Sequence, residues 1–69
     1  MIRYKIDILQ SLKDKGYNTN YIRKNKLLAE ATLQKIRNCD TSLTLKNINI
    51  ICQLLNCQIS DIIEYIPDD

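Results

Sequence analysis

The chain has no histidine, no phenylalanine and no tryptophan, and only one glycine and one proline among its 69 residues. Without histidine it lacks the side chain most often used to move protons in catalysis, and a common metal ligand. One glycine cannot build a glycine-rich loop around a phosphate, and no nucleophile has a nearby candidate base. These gaps argue against an enzyme, and nothing calls for a cofactor or a small-molecule ligand. Scarce glycine and proline also disfavour a sheet stitched by tight turns, and the apolar residues are mostly isoleucine and leucine. The expectation is an all-α fold.

Long apolar runs are missing as well. No stretch approaches the roughly 20 residues of a membrane span, and the opening Met1-Ile-Arg-Tyr-Lys-Ile-Asp lacks the apolar core of a secretion signal. A cytoplasmic protein with no membrane partner is expected. The three cysteines, Cys39, Cys52 and Cys57, form an odd set that fits neither a disulfide framework nor common zinc spacings. They read as buried or incidental thiols rather than metal ligands.

What is present fits one domain spanning residues 1–69, because a chain this short has no room for a second, catalytic lobe. Hydrophobic residues at 45% and charged residues at 26% lie near the averages for soluble globular proteins, which excludes disorder. The net charge of +2 is unevenly spread. Residues 1–38 carry nine of the ten lysines and arginines against Asp7, Asp14 and Glu30, a balance of +6. Residues 39–69 carry Lys46 against Asp40, Asp61, Glu64, Asp68 and Asp69, a balance of −4. Such asymmetry suits a chain with one face turned to a polyanion and the other kept from it, although a merely solvated charged surface accounts for it as well.

Apolar spacing predicts five helices. The first runs from Tyr4 to Lys15 on Ile8 or Ile6, Leu9 and Leu12, with Gly16 as a left-handed cap and Ile2 and Tyr4 packed beneath. Asn18 caps a short second helix, to which Tyr21 and Ile22 give an apolar side before Lys26. The third, Ala29 to Arg37, turns Leu33 and Ile36 inward and leaves Glu30, Ala31, Gln34 and Lys35 on the opposite side. A polar loop, Asn38-Cys-Asp-Thr-Ser, follows, anchored by Leu43. Thr44 caps a fourth helix with an apolar stripe of Leu45, Ile48, Ile51, Cys52 and Leu55, stopped at Asn56. Gln58 or Ser60 opens a fifth with Ile59, Ile62 and Ile63 inward, and Pro67 ends it at Ile66. The expected core is Leu9, Leu12, Ile22, Leu33, Ile36, Ile48, Ile51, Leu55 and Ile62.

The tight junction of the second and third helices is specific. Ile22-Arg-Lys-Asn-Lys-Leu-Leu-Ala-Glu-Ala-Thr-Leu-Gln-Lys-Ile-Arg-Asn resembles the helix-turn-helix of Cro/C1-type (XRE-like) repressors, typically Leu-Ala-x-x-x-Gly-Val-Ser-x-x-Thr-Ile-x-x-Leu-x-Asn. The match is strongest at Ile22, Leu28, Thr32, Leu33, Ile36 and Asn38. Leu45-x-x-Ile-x-x-Ile-Cys-x-Leu-Leu-Asn-Cys, followed by Ile59-Ser-Asp-Ile-Ile-Glu-Tyr-Ile-Pro-Asp-Asp, is similar to the ending of a short single-domain branch. The likeness covers residues 4–69. It implies a five-helix lambda-repressor-like domain that binds double-stranded DNA and regulates transcription, as a repressor by promoter occupancy.

By this resemblance Glu30, Ala31, Gln34 and Lys35 become base-reading candidates. Lysine donates to guanine, glutamine bonds adenine at two points, and a glutamate accepts from cytosine N4. Thr19, Asn20, Arg23, Lys24, Lys26, Thr32, Arg37 and Asn38 become candidates for the DNA backbone. Because one recognition helix reads only a few base pairs, a homodimer on two half-sites is expected, with Ile50, Leu54, Tyr65 and Ile66 as dimer candidates. Four positions depart from the family pattern. Leu27 stands at the turn glycine, Ala29 replaces the usual Ser or Thr cap, and Glu30 and Ala31 replace polar residues at the start of the recognition helix. Ala29, Glu30 and Ala31 leave open a second reading, a helix-turn-helix scaffold that binds protein and has lost specific DNA binding.

Overall fold

The computed structural model describes residues 1–68. Asp7 opens the first helix by accepting from the Gln10 backbone N–H at 3.1 Å, so α1 covers Ile8–Asp14 and excludes the residues before it. Gly16, at φ 92°, ends the segment in the left-handed region, as its sequence position suggests. Asn18 accepts from the Tyr21 N–H at 2.8 Å and starts α2, Thr19–Lys24. The third helix, α3, is Glu30–Arg37, and Thr44 caps α4, Leu45–Leu55, by accepting from the Asn47 N–H at 3.1 Å. Asn56 closes α4 at φ 53°.

The expectation of five helices in an all-α fold needs correction at both flanks. Ile2–Tyr4 forms a strand, β1, and the predicted fifth helix is a single 3₁₀ turn, Ile59–Asp61, followed by a second strand, β2, at Ile63–Tyr65. The strands pair antiparallel in the register Ile2 with Tyr65, Arg3 with Glu64 and Tyr4 with Ile63. Both segments are three residues rich in β-branched and aromatic side chains, too short for a stable helical turn but able to satisfy each other's backbone groups. Across the pair, Arg3 Nε donates to Glu64 Oε2 at 3.0 Å.

The four α-helices enclose the core, with α1 against both α3 and α4 and the 3₁₀ turn against α4. Ile8, Leu12, Ile22, Leu28, Leu33, Ile36, Ile51, Leu55 and Ile62 make one buried cluster, and Ile48 is also buried. Leu9 packs only partly buried against the cluster, and Ile8 takes the deeper place. Leu45, expected in the α4 stripe, is 79% exposed, and Ile59, expected inward, is 45% exposed. Each opens a helical segment, ahead of the turns that lie over the core. Leu43 packs on the core as expected, as do the half-buried Cys52 and Cys57, while Cys39 is exposed. Among the described residues no group of three His, Cys, Asp or Glu side chains could hold a metal ion.

Candidate nucleic-acid interface

Helices α2 and α3 are joined by a turn at residues 25–29, which sets the angle at which α3 is offered to solvent. Its left-handed residue is Lys26, at φ 52°, and not Leu27. The Leu27 N–H reaches back to the Ile22 carbonyl at 3.0 Å and the Lys26 N–H to Arg23 at 3.2 Å, the pairing that closes a helix through a left-handed residue. Leu27 is thereby free to pack against the core, and the strain implied by its place in the sequence falls on Lys26 instead.

Ala29 precedes α3 with no side-chain cap, and Glu30 stands in the first turn. An anionic side chain there complements the positive end of the helix. It also meets a specific partner. Arg23, from the last turn of α2, donates through Nε to Glu30 Oε2 at 2.7 Å and through Nη2 to Oε1 at 3.0 Å, a two-point fork across the turn. The hydrogen bond from Arg23 holds the Glu30 carboxyl below the usual carboxylate range, with smaller help from Gln34 and Arg37, and it raises Arg23 in turn. Their side chains remain 44% and 53% exposed, so the pair lies at the surface and not in the core.

The sequence candidates separate into three places. Arg23, Lys26, Ala29 and Glu30 line a shallow groove of about 400 Å³ at the turn, together with Leu28. Thr19 and Asn20, at the start of α2, share a larger open groove of about 660 Å³ with Arg37, at the end of α3. Of the others, Ala31 and Gln34 are exposed on α3, Lys24 is exposed in the last turn of α2, and Asn38 is exposed at the end of α3. Lys35 is half-buried and donates through Nζ to the Ser42 carbonyl at 3.2 Å, so it is engaged with the loop after α3. Thr32 stands apart, 7% exposed, with its hydroxyl accepting from Asn47 Nδ2 at 3.2 Å. The sequence pattern placed Thr32 among the backbone candidates, but burial and this bond make it a tie between α3 and α4.

That loop has its own organisation. Asp40 Oδ1 accepts from the Ser42 hydroxyl at 2.7 Å and from its N–H at 2.9 Å, and these bonds, the hydroxyl's foremost, hold the Asp40 carboxyl low. Cys39 is left-handed at φ 59°, and the Tyr4 hydroxyl donates to the Asp40 carbonyl. Burial, then the nearby Asp40 and Cys39, push the Tyr4 phenol up.

Of the dimer candidates, Ile50 and Leu54 are half-buried and packed against the core, and Ile66 is half-buried beside β1, its N–H donating to the Met1 carbonyl at 2.8 Å. Tyr65 alone projects, at 65% exposure, next to the exposed Ile2.

Sequence reasoning did not foresee the Arg23 to Glu30 fork. The residues lie seven apart across a turn, outside helical spacing, and opposite charges flanking the turn were the only available sign. No helix among the described residues is long and apolar enough to cross a membrane. Comparisons with curated proteins and with solved structures return no significant match. A family model does match, that of the Cro/C1-type HTH DNA-binding domain, over residues 7–68. That span includes α1 to α4, the turn at Lys26 and the whole candidate face, and the chain belongs to the Cro/C1-type helix-turn-helix DNA-binding domain family.

Proposed function

We propose that the chain is a sequence-specific, double-stranded DNA-binding transcriptional regulator of the cytoplasm, a repressor that excludes polymerase or another regulator by occupying a promoter. The observation that carries this reading is the exposed α2 and α3 face. Arg23, Lys24, Lys26 and Arg37 are exposed there, and Glu30, the one acidic side chain in these two helices, is matched by Arg23. Phosphates would meet a face whose repulsive charge is already compensated. The protein-binding alternative draws on Ala29, Glu30 and Ala31, and the pairing of Glu30 with Arg23 weighs against one of these three supports.

On this reading Lys24, Lys26 and Arg37 bind phosphates, with Thr19, Asn20 and Asn38 beside them, while Glu30, Ala31 and Gln34 face base edges. Lys35 joins the base readers only by releasing Ser42. Pairing on two half-sites would use the Tyr65 surface, and sedimentation on a palindromic duplex tests it: a monomer both free and bound removes that part of the reading.

Filter binding over a range of salt concentrations tests the whole. Random duplex should bind at low salt with affinity falling linearly on a logarithmic scale, and Lys24→Ala or Arg37→Ala should each reduce that slope by about one unit on all duplexes alike. Gln34→Ala should weaken a preferred duplex by about 1 to 3 kcal/mol and random DNA less. Failure to bind any duplex at low salt overturns the proposal.

A further inference from the structure

We propose that Glu30 reads a C·G base pair by accepting from the cytosine N4 amino group, and that Arg23 is the positioning residue that holds its carboxylate for this task. The inference rests on the DNA-binding reading above and names what one position of that face recognises.

A lone carboxylate at the front of a recognition helix is repelled by the phosphates on both sides of the groove. Here the Arg23 fork, at 2.7 and 3.0 Å, makes the pair neutral overall and fixes the plane of the carboxylate. Each Glu30 oxygen accepts one bond from Arg23, Gln34 one turn on adds a weaker hydrogen bond, and lone-pair capacity is left for a further donor. Arg23 keeps three N–H donors for an adjacent phosphate. Ala29 and Ala31 flank Glu30 with methyl groups only, so neither neighbour competes for the carboxylate or fills the space in front of it.

The chemistry of the base edges selects the partner. Guanine offers N7 and O6 and thymine O4, all acceptors that repel a carboxylate. Adenine has an N6 donor, but its N7 acceptor stands beside it. In a C·G pair the cytosine N4 donor has an acceptor on one side only, the guanine O6 it pairs with, whereas adenine N6 lies between its own N7 and the thymine O4, and so cytosine suits a carboxylate best.

A fork that merely fastened α2 to α3 would leave base preference untouched, which makes preference the discriminating readout. The experiment measures binding of the whole chain to random duplex and to every single-base-pair variant of a selected duplex, with circular dichroism confirming that each variant folds. The wild type should favour C·G at one position by about fivefold or more. Glu30→Gln should move that preference to A·T, because a glutamine amide bonds adenine at N6 and N7. Arg23→Lys keeps the charge but not the fork, so it should flatten preference at that position while preference at the other positions survives. Arg23→Met should flatten it too and weaken binding to every duplex, since Glu30 is then uncompensated.

Preference that survives unchanged in both Glu30→Gln and Arg23→Lys overturns this inference and leaves the DNA-binding reading standing. A wild type with no preference at any position overturns the inference together with sequence-specific regulation.

Discussion

Asn47 Nδ2 donates to the Thr32 hydroxyl at 3.2 Å, joining the first turn of α4 to the buried side of α3. Thr32 is the buried polar side chain among the described residues, so this bond meets a need that packing alone would leave open. Thr32→Val keeps the shape and removes the acceptor, and should lower stability by about 1 kcal/mol in urea denaturation. Asn47→Ala should cost a similar amount. The double variant should cost clearly less than the two single losses combined, because either change alone already removes the bond. Strict additivity would show that the two side chains act independently.

Leu33 and Leu45 test where the core ends. Leu33 is fully buried and Leu45 is 79% exposed, although spacing groups both with inward stripes. Leu33→Ala should destabilise by about 2 to 5 kcal/mol. Leu45→Ala should stay within about 0.5 kcal/mol of the wild type in the same denaturation series.

The turn offers a sharper contrast. Lys26 occupies the left-handed region at φ 52° with a side chain that disfavours it, so Lys26→Gly should stabilise by up to about 1 kcal/mol. Leu27→Gly places glycine where the family pattern has it, yet removes an apolar side chain packed on the core, and should cost about 1 to 3 kcal/mol. Thermal melting of the two variants should therefore shift in opposite directions.

Stability should also decline at both extremes of pH. The Glu30 and Asp40 carboxyls are held low in the folded chain, Glu30 by Arg23 and Asp40 by Ser42. Their contribution is full above the ordinary carboxylate value of about 4 and is lost as pH falls through the lowered folded values. Tyr4 is raised by burial, so its contribution is full below the ordinary phenol value of about 10 and is lost as pH rises through the raised one. Denaturation midpoints across pH should show Tyr4→Phe flattening the alkaline decline and Glu30→Gln flattening part of the acid one.

How far the sequence reveals this molecule depends on how far apart the interacting residues lie. Asn18 and Thr44 each bond a backbone N–H three residues on, and Gly16 and Asn56 close their helices locally, so all four are readable from spacing. The Ile22, Leu33, Ile36 and Ile51 core follows from the same periodicity. The pairing of β1 with β2 does not, because each strand is three residues long and takes its register only from the other. Within the candidate site, the identities of Glu30 and Gln34 were visible from the family pattern. The fork to Glu30, the bond from Lys35 to Ser42 and the burial of Thr32 each depend on a segment beyond the helix itself.

The ribbon of β1 and β2 gives the molecule a mechanical weak point. It holds together Arg3 and Glu64, which lie 61 positions apart, through two short strands with no third among the described residues to share a load. A pull entering through Ile2 and Tyr65 would meet the register pairs one after another, the geometry in which paired strands unzip.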